Sequence, residues 1–343
     1  MAAQMKSEAK RPNGLFILDR ASVDLIYGEE QQRQIEELCN IYAPPQDRDS
    51  IKMNRELLAN VDVIFSGWGA PRMDETFLNA APNLRIVFYG AGSVRPITSE
   101  AFWNREIAIT SAYAANAVPV AEYTISTILL SLKQFWRYSA LAKEGKGWGD
   151  HTRPALGSYD STVGIISCGA IARKTLELLR PFDLKKIIYC PFLSAEEAAM
   201  LNVERVTLEE LFKRADVISL HTPLLTETRG MITGRHFESM KQDATFINTS
   251  RGPIVREKEM CGVLERRPDL TAILDVWESD PEPLKADSPL LLLRNVVLTP
   301  HIAGSMGREI HRLGRCMVDE LKRYLAGEPL IWQLTKEAAT KMA

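Results

Sequence analysis

Short apolar runs recur at a strand–helix rhythm through the second half of this chain: Val163–Ser167, Lys186–Cys190, Asp216–Leu220, Ala244–Asn248, Thr271–Asp275 and Asn295–Thr299. Each is rich in apolar residues and all but Asp216–Leu220 end in a small or polar residue, which predicts a strand buried on both faces. Between most of them lie segments with helical spacing, namely Ile171–Leu179, Leu208–Lys213, Gly234–Met240 and Glu257–Glu265. Alternating strands and helices join through right-handed crossovers, so the pattern predicts a parallel sheet with helices on both faces. The first part repeats the style with Gly14–Leu18, Val61–Ser66, Leu84–Tyr89 and Ile107–Thr110. A chain of 343 residues has room for two such units, each with its own core. A long amphipathic segment, Val118 to Lys143, joins them, and a helical segment, Gly307–Leu325, crosses back to the first.

Composition narrows the function. The chain is 45% hydrophobic and 25% charged, with a formal net charge of −2. That balance offers no basic field for nucleic acid, so no such partner is expected. The most apolar stretch, Thr124–Leu132, is too short to span a bilayer, and the polar N-terminus lacks a signal-peptide core. The five cysteines form no C-x-x-C pair and read as reduced side chains, so a cytoplasmic protein without a membrane partner or a metal is expected.

The run "VGIISCGAIAR", Val163 to Arg173, stands where a strand–turn–helix cradle for a dinucleotide would carry G-x-G-x-x-G, and its glycine slots hold Ser167, Gly169 and Ala172. Gly169 fills the slot where backbone approaches pyrophosphate, and Ala172 is an accepted third residue. Ser167 is the departure, because it must adopt the dihedrals of the first tight turn. Ala170 and Ile171 open the helix whose N-terminus would face the phosphates. At the next strand end, where a carboxylate usually grips the ribose, stands Cys190. No Arg or Lys follows until Arg205, and Glu196 and Glu197 are acidic. NAD is therefore expected, with NADP left open.

Three later regions, "LHTPLLTETRGMI", "FINTSRGPIV" and "ILDVWESDPEP" through "VVLTPHIAGS", with "GAGSV" and "YAANAVPVAEYT" before them, resemble the D-isomer-specific 2-hydroxyacid dehydrogenases from Val61 to Leu330. The resemblance implies an NAD(P)-dependent oxidoreductase that interconverts a D-2-hydroxy acid and a 2-keto acid. It also implies an α/β fold of two Rossmann-like doubly wound domains. The dinucleotide-binding domain, residues 118–305, would be inserted in a flavodoxin-like substrate domain of residues 1–117 and 306–343. The site would lie in the cleft at strand carboxyl ends. A homodimer built through the nucleotide domain is implied, with Trp148 in the loop that reaches the partner or simply exposed there.

By the same resemblance Arg251 is the catalytic arginine, whose planar fork can engage carboxylate and carbonyl oxygens together. His301 is the acid/base. Its carboxylate partner is Glu282 or Asp280. Counting from Asp275 reaches Asp280, whereas matching "PEPL" reaches Glu282, and a lengthened Asp275–His301 stretch favours Glu282. Asp275, Thr222, Pro223, Thr249, Ser250 and Gly304 match cofactor-lining positions. The backbone of Ala91 and Gly92 matches a substrate-carboxylate loop, with Tyr113 and Met306 as pocket candidates. Arg95 reads as a second anion anchor or as a solvated surface charge. The alternative is a non-catalytic, dinucleotide-sensing corepressor-like protein, since some relatives of that kind keep the same residues. Oxidation of a small anion such as formate is disfavoured, because a carboxylate stands where those sites place an amide.

Overall fold

The computed structural model describes residues 11–146 and 155–342. Trp148 lies outside the described residues. The chain divides into two compact units, Met1–Asn116 with Gly307–Met342, and Ala117–Met306.

In the first unit β1 (Asn13–Ile17), β2 (Asn40–Ile41), β3 (Val63–Ser66), β4 (Ile86–Tyr89) and β5 (Ala108–Ser111) form one sheet in the order β2-β1-β3-β4-β5. Every pair is parallel, which is the flavodoxin-like arrangement. The strands "VIFS" and "IVFY" are buried at every residue, as expected where helices cover both faces. Tyr27 Oη donates to the carbonyls of Ser66 at 2.8 Å and Phe88 at 3.1 Å, tying β3 to β4 near their carboxyl ends. Burial raises its phenol well above the usual range.

The C-terminal segment belongs to this unit because it hydrogen-bonds to its edge strand. Ser111 N–H donates to Trp332 O at 3.1 Å and Leu334 N–H to Ile109 O at 2.9 Å. The helix His311–Ala326 adds Leu313, Met317, Val318 and Leu321 to the core formed by Phe16, Phe65 and Phe88.

The second unit carries β6 (Thr162–Ile166), β7 (Lys185–Tyr189), β8 (Glu204–Arg205), β9 (Val217–Leu220), β10 (Thr245–Asn248), β11 (Thr271–Leu274) and β12 (Val296–Leu298) in the order β12-β11-β10-β9-β6-β7-β8, all parallel. Counted from β6 this is the dinucleotide-binding order with one strand added beyond β11. The order reverses between β6 and β9, and ligands of such sheets bind outside the strand carboxyl ends at that point. Ile166, Phe212, Ile218, Phe237 and Phe246 fill one face, and Val163, Ile165, Ile188, Ile247 and Ile273 fill the other.

Two features differ from the sequence expectation. The edge strands β2 and β8 are two residues long, too short to show any periodicity. The predicted long segment from Val118 is two helices, Tyr113–Leu132 and Phe135–Lys143, separated by Gln134 at φ 49°. A left-handed residue cannot continue a right-handed helix, and nothing in the polarity pattern marks it.

Candidate active site

Because the second sheet is wholly parallel, the residues that follow its strands gather at one edge. They are Ser167 after β6, Cys190 after β7, His221 and Thr222 after β9, Thr249 to Arg251 after β10, Asp275 after β11, and Thr299 to His301 after β12.

The nucleotide cradle begins with a conformational cost. Ser167 lies at φ 78°, in the left-handed region that glycine adopts freely and other residues adopt at about 1–2 kcal/mol. Its N–H still reaches Tyr189 O at 2.8 Å, extending the β6–β7 ladder by one residue. Gly169 is the N-cap of the helix Ala170–Leu178, with no side-chain cap. A Cβ placed on it would meet nothing within 4 Å, so open space lies in front of the helix start. Ala170 is exposed and Ile171 half-buried, while Ala172 is fully buried where the helix rests on the sheet. Cys190 is half-buried and packs against the same core as Cys168. Burial pushes the Cys168 thiol up.

Sequence reading missed one residue here. Arg173, one turn into that helix, pairs with Glu197 at 2.8 Å, and its charge reaches Cys168 and Cys190. Its position was readable, but only the fold turns it toward the β7 end.

The loops after β9 and β10 brace each other. Thr228 Oγ1 donates to Pro223 O at 2.6 Å and accepts from Leu225 N–H at 2.8 Å. Ser250 Oγ donates to Thr222 O, and Ser250 N–H donates to Asn248 Oδ1 at 2.9 Å. Thr249 Oγ1 and His221 Nδ1 are buried without a protein partner among the described residues. Buried polar atoms of that kind are normally satisfied by a ligand or water. An open glycine before a helix N-terminus and an unsatisfied hydroxyl at the end of β10, on the same edge of the sheet, therefore fit a dinucleotide.

Arg251 is half-buried and donates from Nη1 to Ser250 O at 2.7 Å. Burial pulls its guanidinium down, while the charge of Asp280 opposes this. Asp280 Oδ2 stands 2.8 Å from His301 Nδ1, and its side chain is only 10% exposed against 47% for the imidazole. With Nδ1 held by the carboxylate, Nε2 is the ring atom left to exchange a proton outward.

This reverses the sequence preference for Glu282. The exposed Glu282 enters the local network through its backbone, accepting from Trp277 Nε1 at 2.8 Å and donating to Ser279 O at 2.8 Å. The turn carries Asp280 inward and leaves the next acid in solvent, which string matching cannot register.

His301 itself lies at φ 55°, and Asp275 holds the loop that imposes this. The Asp275 side chain is 1% exposed. Its Oδ1 accepts from Thr299 Oγ1 at 2.6 Å and Ile302 N–H at 2.8 Å, and its Oδ2 accepts from Ala303 N–H at 2.9 Å. His301 N–H donates to Asp275 O at 2.9 Å. Tyr123 Oη adds a 3.0 Å hydrogen bond to Thr299 Oγ1. A carboxylate has about four acceptor positions, so one on Oδ2 remains for a ligand amide. Gly304 follows this loop, half-buried.

The remaining candidates divide between the units. In the first, Ser111 Oγ donates to Ala91 O at 3.0 Å and Gly92 O at 2.5 Å, and a Cβ on Gly92 would meet nothing within 4 Å. Tyr113 stands edge-on to Trp332 at 5.9 Å. Arg95 is exposed, and its Nη1 donates to Met342 O at 3.4 Å. Met306 is 53% exposed at the end of the second unit.

Residues 125–303 match the family model described as "D-isomer specific 2-hydroxyacid dehydrogenase, NAD binding domain". An (S)-sulfolactate dehydrogenase of Chromohalobacter salexigens is 34% identical over 258 residues, 74% of this chain and 82% of the relative. A D-3-phosphoglycerate dehydrogenase of Archaeoglobus fulgidus is 30% identical over 259 residues, 76% of this chain, which spans only 49% of that longer protein. A glyoxylate reductase of Korarchaeum cryptofilum is 31% identical over 83% of this chain and 85% of its own. Among solved structures, the apo form of Rhodotorula graminis D-mandelate dehydrogenase aligns with TM-score 0.78 at 23% identity, covering 95% of this chain and 98% of that one.

Proposed function

Because the chain belongs to the D-isomer specific 2-hydroxyacid dehydrogenase family, we propose that it interconverts a D-2-hydroxy acid and the corresponding 2-keto acid. The observation that carries this is the pairing of His301 with Asp280 at 2.8 Å, with Arg251 close enough to feel the same carboxylate. NAD, when bound, supplies or accepts the hydride. Arg251 holds the substrate carboxylate and polarises its carbonyl through a fork that Lys cannot reproduce. His301 Nε2 gives its proton to the developing alkoxide in reduction and takes it back in oxidation. Asp280 fixes the ring through its Nδ1. The hydride and that proton together account for both hydrogens transferred.

Ser167, Gly169, Ala170 and Ile171 are assigned to the pyrophosphate, and Cys190 to the adenosine ribose. Thr222, Pro223, Thr249, Ser250 and Gly304 are assigned to the rest of the cofactor, with the free acceptor position of Asp275 for the carboxamide. The backbone amides at Ala91 and Gly92 suit a carboxylate, as small anion nests do, and Tyr113 is assigned to the substrate side chain. The relatives named for phosphoglycerate, sulfolactate and glyoxylate support a small acid of this class. The proposed macromolecular partner is a second copy of the chain. Among the described residues no helix is long and apolar enough to cross a membrane.

The test is NADH and NADPH oxidation against glyoxylate, hydroxypyruvate, pyruvate, phenylpyruvate, 2-ketoisocaproate and 3-sulfopyruvate. Turnover of a keto acid that is lost in Arg251→Lys supports the reading. Tight dinucleotide binding with no turnover of any of them would overturn it in favour of a sensor.

A further inference from the structure

The chemistry assigned above uses Arg251, Asp280 and His301, but it leaves unexplained what holds Asp280 in place. The turn that carries it is exposed at Glu278, Ser279, Pro281 and Glu282, so apolar burial contributes little to its position. Its own bonds close it locally: Asp280 N–H donates to Trp277 O at 3.1 Å, and Trp277 Nε1 to Glu282 O at 2.8 Å. Such bonds shape a turn without saying where it sits.

Two contacts from the segment after Arg251 do say so. A Cβ on Gly252 would lie 1.8 Å from Trp277 O and 2.5 Å from Glu278 N, so the two backbones are in direct contact there. Then Glu257, the first residue of the helix Glu257–Arg266, accepts the Glu278 N–H on Oε2 at 2.8 Å. Glu257 is half-buried, and burial raises its carboxyl while this hydrogen bond pulls it down.

We propose that Glu257 is a positioning residue for the acid/base pair: its hydrogen bond to Glu278 fixes the Trp277–Glu282 turn at the place where Asp280 meets His301. The proposal rests on the reading of His301 as acid/base. Aspartate is one methylene shorter than glutamate, so its turn must lie closer to the imidazole, and a small displacement breaks the pair. The ordinary role for such a residue, an acid favoured in the first turn of a helix, would affect stability and leave the imidazole untouched. The groups facing the relevant atoms are few. Asp280 faces the imidazole, Arg251 lies near Asp280, Asp275 holds the loop backbone, and Glu278 and Cys261 lie near Glu257.

The experiment compares Glu257→Ala, Glu257→Asp and Glu257→Gln with the parent. Two readouts are used: the pH titration of the His301 ring by NMR, assigned with His301→Asn, and the pH dependence of keto-acid reduction. Glutamine keeps an oxygen that can accept the Glu278 N–H, whereas alanine and the shorter aspartate do not reach it. Loss of the contact changes the pH response of the ring, because Asp280 no longer sits at Nδ1. It also lowers kcat roughly 10- to 100-fold, the scale of a small misplacement, with KM nearly unchanged. Glutamine restores both, and in an Asp280→Asn background Glu257→Ala adds nothing. Should Glu257→Ala not fold, Glu257→Asp decides. An unchanged His301 titration in a folded Ala or Asp variant overturns the proposal. The ring titration needs no turnover, so the absence of keto-acid reduction in the parent would sink the functional reading while leaving this test intact.

Discussion

At His301 Nδ1 the carboxylate is that of Asp280, 2.8 Å away, and two residues on Glu282 engages the turn through its backbone. Under the proposed function, Asp280→Asn removes the carboxylate that holds His301 Nδ1; the pH–rate profile of reduction is expected to change and kcat/KM to drop. Glu282→Gln leaves the profile within about twofold of the parent, since an exposed charge contributes little. Identical pH–rate profiles for Asp280→Asn and the parent would remove Asp280 from the mechanism. Ser167, at φ 78°, tests the cradle in the same way. Glycine there relieves left-handed strain of about 1–2 kcal/mol and loses part of that to its greater unfolded freedom. Ser167→Gly is expected to gain about 0.5–1 kcal/mol in urea unfolding, with dinucleotide affinity retained. Arg251 and His301 were readable as candidates because their types and neighbouring motifs suit the chemistry. Asp280 was not, because an acidic, proline-rich turn shows no period that says which carboxylate folds inward.

Among the elements, the central strands were legible to within a residue or two, because continuous apolar runs mark strands covered on both faces. The break at Gln134 was not, since a single left-handed residue leaves the polarity pattern intact. Strand β9 carries a pH-sensitive consequence. His221, at its carboxyl end, is buried and bonded through Nε2 to Ser219 Oγ at 3.0 Å. Burial lowers its pKa from 6.5 to about 4. Below the unfolded value the unfolded chain takes up a proton that the folded one refuses, so stability is full above pH 6.5 and falls as pH drops toward about 4. That contribution is on the order of 3 kcal/mol across the window. Unfolding free energies measured from pH 4 to 7 should slope less in His221→Gln than in the parent. Equal slopes would show that the imidazole is protonated in the fold.

For the molecule as a whole, both chain ends build the first unit and the middle builds the second. On the second unit Leu130, Phe135 and Leu156 remain 38%, 48% and 54% exposed. Leu130 and Phe135 lie on successive helices and Leu156 on the segment before β6; exposed apolar side chains of this kind suit an interface between copies, which is where the proposed homodimer would form. Light scattering should give twice the chain mass for the parent and the single-chain mass for Phe135→Glu, with folded structure kept in both. A monomeric parent at micromolar concentration would dismiss the dimer.

Periodicity, composition and a few ordered motifs were enough to read a doubly wound α/β chain, its nucleotide loop, and the arginine and histidine proposed for its site. Those signals are local: a strand's burial and a motif's residue types are written in consecutive positions. Only the tertiary structure decided which acid reaches the imidazole, that His301 takes a left-handed backbone, and that Arg173 turns to Glu197. Each of these depends on contacts between segments far apart in the chain, such as Gly252 against Trp277 and Glu257 on Glu278. No window along the sequence contains both partners.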